Sequence, residues 1–352
     1  MSLKDLRNKI DAIDEKVVKL LNNRAKISQE IGTTKVKTKK SIYSPEREQE
    51  VLRHLKQMNN GPMSDEAFMA VYREVMSSSL ALENLSNVAH LGTNGSFTHM
   101  AALKRFGSQV KYTSCESIRE VFEKVDYGEC TYGVVPIENS IEGAVTHTFD
   151  ILVDSELKIC SQVMLKVSHN LISKVPLKDI KEIYSHSQVF GQCRHWLLQN
   201  FPKATQISVG STTEAAMKAA KEKNCAAIAS TLAAKDYNLA VLKSNIQDIA
   251  HNATRFLVVA SQDVPSTGKD KTSILFSIKD KVGALHDMLI PFHENKINLT
   301  KIESRPCKKR AWDYYFFVDF EGHRNDVNVR KALDQLEGMC KYLKVVGSYP
   351  AL

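Results

Sequence analysis

The chain has 352 residues, 43% hydrophobic and 25% charged, an ordinary balance for roughly two or three globular domains. No run approaches the ~18 apolar residues of a membrane span, and the charged start Met1-Ser2-Leu3-Lys4-Asp5-Leu6-Arg7 lacks a signal peptide's apolar stretch, so a cytoplasmic protein is expected. Seven scattered cysteines with no Cys-x-x-Cys pair argue against a disulfide framework, and the net charge of +8 is too dispersed for nucleic acid, its densest run being Lys35, Lys37, Lys39 and Lys40.

Residues 3–85 read as helix interrupted at Ser44-Pro45 and Gly61-Pro62. Leu6, Ile10, Ile13, Val17, Leu20, Ile27 and Ile31 recur at steps typical of one long amphipathic helix. A second helix carries Val51, Leu52 and Leu55. A third follows Ser64, an N-cap, and carries Phe68, Val71, Val75 and Leu82. The first stripe is too long for the other two helices to cover, which predicts a helical dimer.

Arg24 falls on that stripe, and Lys35 lies three turns beyond it on the same face. Arg47 shares a face with Val51 and Leu55, while Ser79 and Glu83 follow Val75 at steps of four. Any one of these can be an interhelical salt bridge. Together, three inward cations would face only Glu48 and Glu83, so a small dicarboxylate would balance the cluster.

From Asn87 short β-branched runs alternate with helical ones: 88–91, 132–135, 159–165, 183–184, 226–229 and 256–259, with an alanine-rich helix at 213–223. This predicts an open α/β sheet in two lobes with a ligand cleft between them. Gly92-Thr93-Asn94-Gly95-Ser96 opens a helix after a strand, as an anion-binding loop does, although a plain tight turn reads the same way. Pro136-Ile137-Glu138-Asn139-Ser140-Ile141-Glu142-Gly143 and Ser185-His186-Ser187-Gln188 through Gln192 end two further strands, where open sheets bind ligands or where Asn-Ser simply caps a helix. His186, Cys193 and His195 lack a fourth ligand and standard spacing, so no metal is expected.

Pro265-Ser266-Thr267-Gly268 reads as a linker. Beyond it a strand at 272–278, a helix at 283–294, strands near 298–305 and 312–320, a helix at 327–339 and a strand at 343–348 give the βαββαβ order of a small ferredoxin-like domain.

Leu6-Arg7-x-x-Ile10-Asp11-x-Ile13-Asp14, Arg24, Lys35, Arg47-Glu48 and Ser79-x-x-x-Glu83 resemble the all-helical chorismate mutases. That resemblance implies that Arg24 and Arg47 hold substrate carboxylates, Arg7 reaches the partner subunit's site, Glu48 binds the substrate hydroxyl, and Lys35 and Glu83 contact the ether oxygen. Ser44 stands where some members carry aspartate. The loops of residues 88–262, with Asn252-Ala253-Thr254-Arg255-Phe256, resemble prephenate dehydratase, a two-lobed fold of the periplasmic-binding-protein type. This implies Ser96, Asn139, Ser140, Ser185, Gln192 and Arg255 as prephenate contacts and Thr254 as the main catalytic group. Neighbours on a strand face opposite ways, so Arg255 is the less secure of that set. Gly283-Ala284-Leu285 and Glu303-Ser304-Arg305-Pro306 resemble the amino-acid-binding ACT domain attached to prephenate dehydratases, implying L-phenylalanine binding near Gly283, Ala284, Leu285, Asn298, Leu299, Glu303, Ser304 and Arg305 at a dimer interface.

The expected chain is thus multidomain: an all-α mutase at 1–86, an α/β dehydratase at 87–264 and an α+β ACT domain at 271–352 that can be removed near Ser266 without loss of dehydratase chemistry. It would turn chorismate into prephenate and then phenylpyruvate, without cofactor or metal, as a homodimer or higher homo-oligomer inhibited by L-phenylalanine. The competing expectation is an amino-acid-sensing regulator without catalysis; a nucleic-acid binder is disfavoured because aromatic residues are not interleaved with the basic ones.

Overall fold

The computed structural model describes residues 2–38, 45–83, 87–278, 282–306 and 314–351; Lys39, Lys40, Ser44 and Cys307 lie outside these. The chain divides into two compact units, residues 1–88 with 105–112, and residues 89–104 with 113–352.

The first unit is built on α1 (Leu3–Lys37), α2 (Pro45–Met58) and α3 (Asp65–Glu83). At 35 residues α1 is about 52 Å long, given a rise of 1.5 Å per residue. Ser64 caps α3 by accepting from Ala67 N–H at 3.2 Å. Gly32 sets the crossing of α1 and α3: a Cβ there would stand 2.9 Å from Glu83 Cα, so only glycine permits this approach. The α1 stripe stays in solvent, with Ile10, Ile13 and Ile27 each 57% exposed.

Strand–helix alternation follows: β1 (Asn87–Leu91), α4 (Phe97–Phe106), β2 (Lys111–Cys115), α5 (Ile118–Asp126), β3 (Tyr132–Asn139), β4 (Gly143–Ala144), α6 (Thr146–Asp154), β5 (Lys158–Lys166), β6 (Asn170–Ser173), β7 (Glu182–Ser185), α7 (Ser187–Gln192), α8 (Arg194–Asn200), β8 (Thr205–Ser208), α9 (Thr212–Lys221), β9 (Cys225–Ala229), α10 (Thr231–Asp236), β10 (Ala240–Lys243) and β11 (Ala253–Ala260). One sheet has the order β2-β1-β3-β11-β5 with β4 beside β3, and another β10-β6-β9-β7-β8. The chain crosses between these lobes after β5 and returns before β11. The two crossings place residues 167–169 and 244–252 where a ligand cleft between lobes has to lie.

β12 (Asp270–Ser277), α11 (Ala284–Glu294), β13 (Leu299–Pro306), β14 (Tyr314–Glu321), α12 (Val327–Met339) and β15 (Tyr342–Pro350) complete the chain in βαββαβ order, as a sheet ordered β13-β14-β12-β15. Alternation divides its faces. Ile274, Phe276, Val318 and Phe320 pack under Met288, Phe292 and Leu336 of the two helices. Leu275, Phe317, Val346 and Tyr349 instead join Ile137, Phe149, Ile159 and Leu257 in one core with the first lobe. Gly347 permits this contact, because a Cβ there would collide with the Ile159 backbone. The C-terminal domain therefore shares a core with the first lobe in addition to the linker. Among the described residues no helix is long and apolar enough to cross a membrane.

Candidate active sites

Arg24, Lys35, Arg47, Glu48, Ser79 and Glu83 all line one cavity of about 720 Å³ in the first unit, beside apolar Leu20, Ile27, Ile31 and Val51. This is the size and mixed lining of a small-molecule site. Arg24 donates to the Ser79 hydroxyl, which donates in turn to the Val75 carbonyl at 3.0 Å. Among the described residues Arg24 makes no ion pair within 4 Å, although its charge acts on Glu83. Lys35 Nζ stands 3.5 Å from Glu83 Oε2. Burial pushes the Glu83 carboxyl above its ordinary range, and the positive charges of Lys35 and Arg24 only partly offset this.

Two of the expected placements differ. Arg47 lines the cavity, but its side chain is largely exposed and paired with Glu50 at 2.6 Å, so of the three expected cations only Arg24 and Lys35 are held inward, and the half-buried Arg105 joins them in the lining. Glu48 is already engaged, by Arg105 at 3.1 Å. Arg105 lies in the second stretch of this unit and has no periodic relation to the three helices, so sequence reasoning missed it. Arg7 is exposed and lies outside this cavity, seventeen residues before Arg24 on α1, or about 25 Å along the axis.

In the second unit Asn139 ends β3 opposite Thr254 on β11. Asn139 Oδ1 accepts from Ile141 N–H at 2.9 Å and Glu142 N–H at 3.1 Å, which fixes the amide so that its Nδ2 faces β11. That nitrogen donates to Thr254 Oγ1 at 2.8 Å and to Asn252 Oδ1 at 2.7 Å. The Thr254 oxygen is thus an acceptor towards Asn139, and its own proton is left to point elsewhere. Ser140 clamps the same loop, accepting from Ala253 N–H at 3.0 Å and donating to the His251 carbonyl at 3.1 Å.

Gln192 joins the group by accepting from Asn252 Nδ2 at 3.2 Å and donating to Glu142 at 2.9 Å. Its Oε1 also lies 2.7 Å from His169 Nε2, so that ring nitrogen carries the proton. Burial lowers the His169 pKa, against the hydrogen bond to Gln192, which raises it. His169 belongs to no motif, and in the sequence Asn252 is only a neighbour of Thr254; both sit at the lobe crossings, which only the fold reveals. Ser185 is fully buried and donates to the Ile228 carbonyl at 2.9 Å, and Ser96 donates to the Leu91 carbonyl at 3.1 Å, so neither is bonded into the Thr254 group.

Arg255 corrects an expectation. Its side chain is 7% exposed and turned from Thr254 to the opposite face of β11, where it bonds Asp319 at 2.6 Å and Glu138 at 3.1 Å. On this face it is bonded to the C-terminal domain and not into the Thr254 group. In the C-terminal domain Gly283 caps α11 at φ 78°, a conformation glycine adopts freely. Ala284 is buried behind it, while Leu285 and Asn298 are open to solvent and Leu299 is half-buried. β13 divides the remaining residues: Ser304 faces outward, whereas Glu303 and Arg305 are half-buried, Arg305 lying 3.7 Å from Asp150 of α6.

Models of three families match the chain: chorismate mutase type II at residues 6–84, prephenate dehydratase at 88–264 and the ACT domain at 272–338. A bifunctional chorismate mutase/prephenate dehydratase of Aquifex aeolicus is 46% identical over 99% of this chain and 98% of its own length. The chain belongs to this bifunctional family. Its counterpart in Pseudomonas aeruginosa is 44% identical over 99% of this chain and 97% of its own. Among solved structures, the prephenate dehydratase of Arthrobacter aurescens in complex with L-Phe aligns with a TM-score of 0.69 at 33% identity, covering 75% of this chain and 90% of that one. The stretch that matches the mutase model accordingly supplies most of the lining of the 720 Å³ cavity, to which Arg105 and Phe106 are added from the stretch that matches the dehydratase model, and the latter contains the Thr254 group.

Proposed function

We propose that residues 1–86, 87–264 and 271–352 form the mutase, dehydratase and ACT domains of an enzyme that rearranges chorismate to prephenate and converts prephenate to phenylpyruvate in the cytoplasm. The rearrangement is pericyclic and asks for no base or nucleophile. It asks for a compressed substrate conformer and for stabilisation of charge building on the ether oxygen. Arg24 and Arg47 would take the two carboxylates, with Lys35 and protonated Glu83 directed at the ether oxygen. Glu48, held by Arg105, would accept from the substrate hydroxyl. The exposed α1 stripe supports a dimer of this domain, in which Arg7 enters the partner subunit's cavity.

In the dehydratase the ring carboxylate leaves as carbon dioxide, and its electron pair completes the aromatic ring as the ring hydroxyl departs as water. The departing oxygen needs a proton. The Asn139–Thr254 hydrogen bond carries this reading, since it leaves the Thr254 proton to be donated towards the leaving group. A threonine alcohol is too weak an acid to complete the transfer alone, so Thr254 acts by a strong hydrogen bond or as one member of a relay. Asn139, Ser140 and Gln192 would hold prephenate; Ser96 and Ser185 would shape the cleft through the backbone they bond.

The ACT domain would bind L-phenylalanine through Gly283, Ala284, Leu285, Asn298, Leu299, Glu303, Ser304 and Arg305 at a dimer interface and favour a less active cleft. Chorismate turnover, followed through prephenate to phenylpyruvate with and without L-phenylalanine, tests the whole scheme. Both products should form and the second step should slow; absence of phenylpyruvate would overturn the dehydratase assignment.

A further inference from the structure

β11 turns Thr254 and Arg255 to opposite faces, and β3 does the same with Asn139 and Glu138. The pairs are in register: Thr254 lies opposite Asn139, and Arg255 opposite Glu138. On the cleft face the pair is joined by the Asn139–Thr254 hydrogen bond. On the far face it is joined by Arg255 and Glu138 at 3.1 Å.

The far pair is held by the regulatory domain. Arg255 Nη1 also donates to Asp319 at 2.6 Å and Nη2 to the Tyr349 hydroxyl at 2.9 Å, while Nε donates to Gln162 of the dehydratase sheet at 2.9 Å. Ser273 completes the ring by donating to the second oxygen of Asp319, with the Tyr349 hydroxyl 2.6 Å away. Lys301 of β13 donates to the second oxygen of Glu138. Burial pushes Glu138 up, yet Lys301 and Arg255 outweigh it and hold this carboxyl below its ordinary value. Arg255 and Asp319 are the buried pair of this group, Glu138 and Lys301 lie nearer its edge with Glu303 3.9 Å from Lys301, and Lys271 adds its charge, so displacing Asp319 leaves the buried Arg255 short of a partner.

We propose that Arg255 is a positioning residue of the dehydratase, setting the register of Thr254 against Asn139, and that the regulatory domain controls it through Asp319, Tyr349 and Lys301. An ion cluster that only joined two domains could sit anywhere along their contact. This one is bonded to the immediate chain neighbours of both cleft residues. Lys301 lies on β13 between Leu299 and Glu303, so a ligand that moves this strand moves the partner of Glu138. That last step rests on the reading of the domain as an L-phenylalanine site.

The test is made on the full-length enzyme with Tyr349→Phe, Asp319→Asn, Lys301→Met and Lys301→Arg. Dehydratase kcat and KM for prephenate are measured well below each variant's melting temperature, with the mutase rate of the same sample as a control for folded enzyme. Tyr349→Phe and Asp319→Asn should lower kcat by about tenfold with KM within about twofold, since a displacement near 1 Å at a catalytic group costs up to about 10²-fold. Lys301→Met should shift the L-phenylalanine concentration for half inhibition several-fold, and Lys301→Arg should restore it. Parent kcat in folded Tyr349→Phe and Asp319→Asn enzymes overturns the positioning role. A parent enzyme with no response to L-phenylalanine would remove the sensor reading alone, leaving the kcat comparison to decide the role of Arg255.

Discussion

Lys35 and Glu83 face each other at 3.5 Å across the crossing of α1 and α3, one turn from the glycine that lets those helices meet. Burial raises the Glu83 pKa although Lys35 and Arg24 oppose it. A carboxylate cannot donate to the ether oxygen of chorismate, and a carboxylic acid can. Because the pKa is raised, the donating acid persists to higher pH than an ordinary glutamate allows, and it is lost as pH rises through that value. Mutase kcat should therefore fall with rising pH, and Glu83→Gln, an uncharged donor of similar shape, should flatten the decline while the dehydratase profile stays as it was. Rates from pH 5 to 9 in parent and variant check this, and a flat parent profile would count against the proton requirement.

Arg24 is bonded to a serine hydroxyl rather than to a carboxylate. Charge-assisted hydrogen bonds contribute about 1.5–3 kcal/mol, so Arg24→Ala should lower mutase kcat/KM by roughly 10- to 100-fold. Supplied prephenate should still be dehydrated at the parent rate. An unchanged mutase rate would reassign Arg24 to helix packing.

Cutting the chain near Ser266 should not yield a working dehydratase. The cut removes Leu275, Phe317, Val346 and Tyr349 from a core they share with Ile137, Phe149 and Leu257, and it strands the buried Arg255 charge. Each large apolar side chain contributes about 1.5–3 kcal/mol by burial. Four of them approach the roughly 5–15 kcal/mol that stabilises a whole domain. Thermal unfolding and prephenate turnover of the truncated chain check this; a cooperative melt with parent dehydratase activity would contradict it. Gly347→Ala is the milder version, in which overpacking against the Ile159 backbone should lower the melting temperature of the dehydratase and ACT parts by several degrees.

Long periodic elements were legible in the sequence, and short polar ones were not. The α1 stripe and the βαββαβ order needed only periodicity, but β8 and β10 are four-residue strands of mostly exposed residues, too short for a period to mark them. At the sites, helical steps put Arg24 and Lys35 on one face of α1, and Ser79 and Glu83 on the face of α3 that carries Val75. Arg105, His169 and Asn252 could not be placed this way, because their partners come from distant segments joined only by the tertiary fold. Strand alternation flagged Arg255 as an unsafe cleft residue, and the structure supplies its partners, Asp319 and Tyr349, 64 and 94 residues away.

The central claim is that two chemistries occupy two separate sites in one chain. Feeding chorismate to the Thr254→Ala enzyme and following prephenate and phenylpyruvate together tests it most directly. Removing the hydroxyl deletes the donor that Asn139 orients and leaves the mutase cavity untouched. Prephenate should accumulate at the parent mutase rate while phenylpyruvate formation falls by at least about 10²-fold, the scale of a lost general-acid group. Phenylpyruvate at the parent rate, or loss of both activities in a folded variant, would contradict the account.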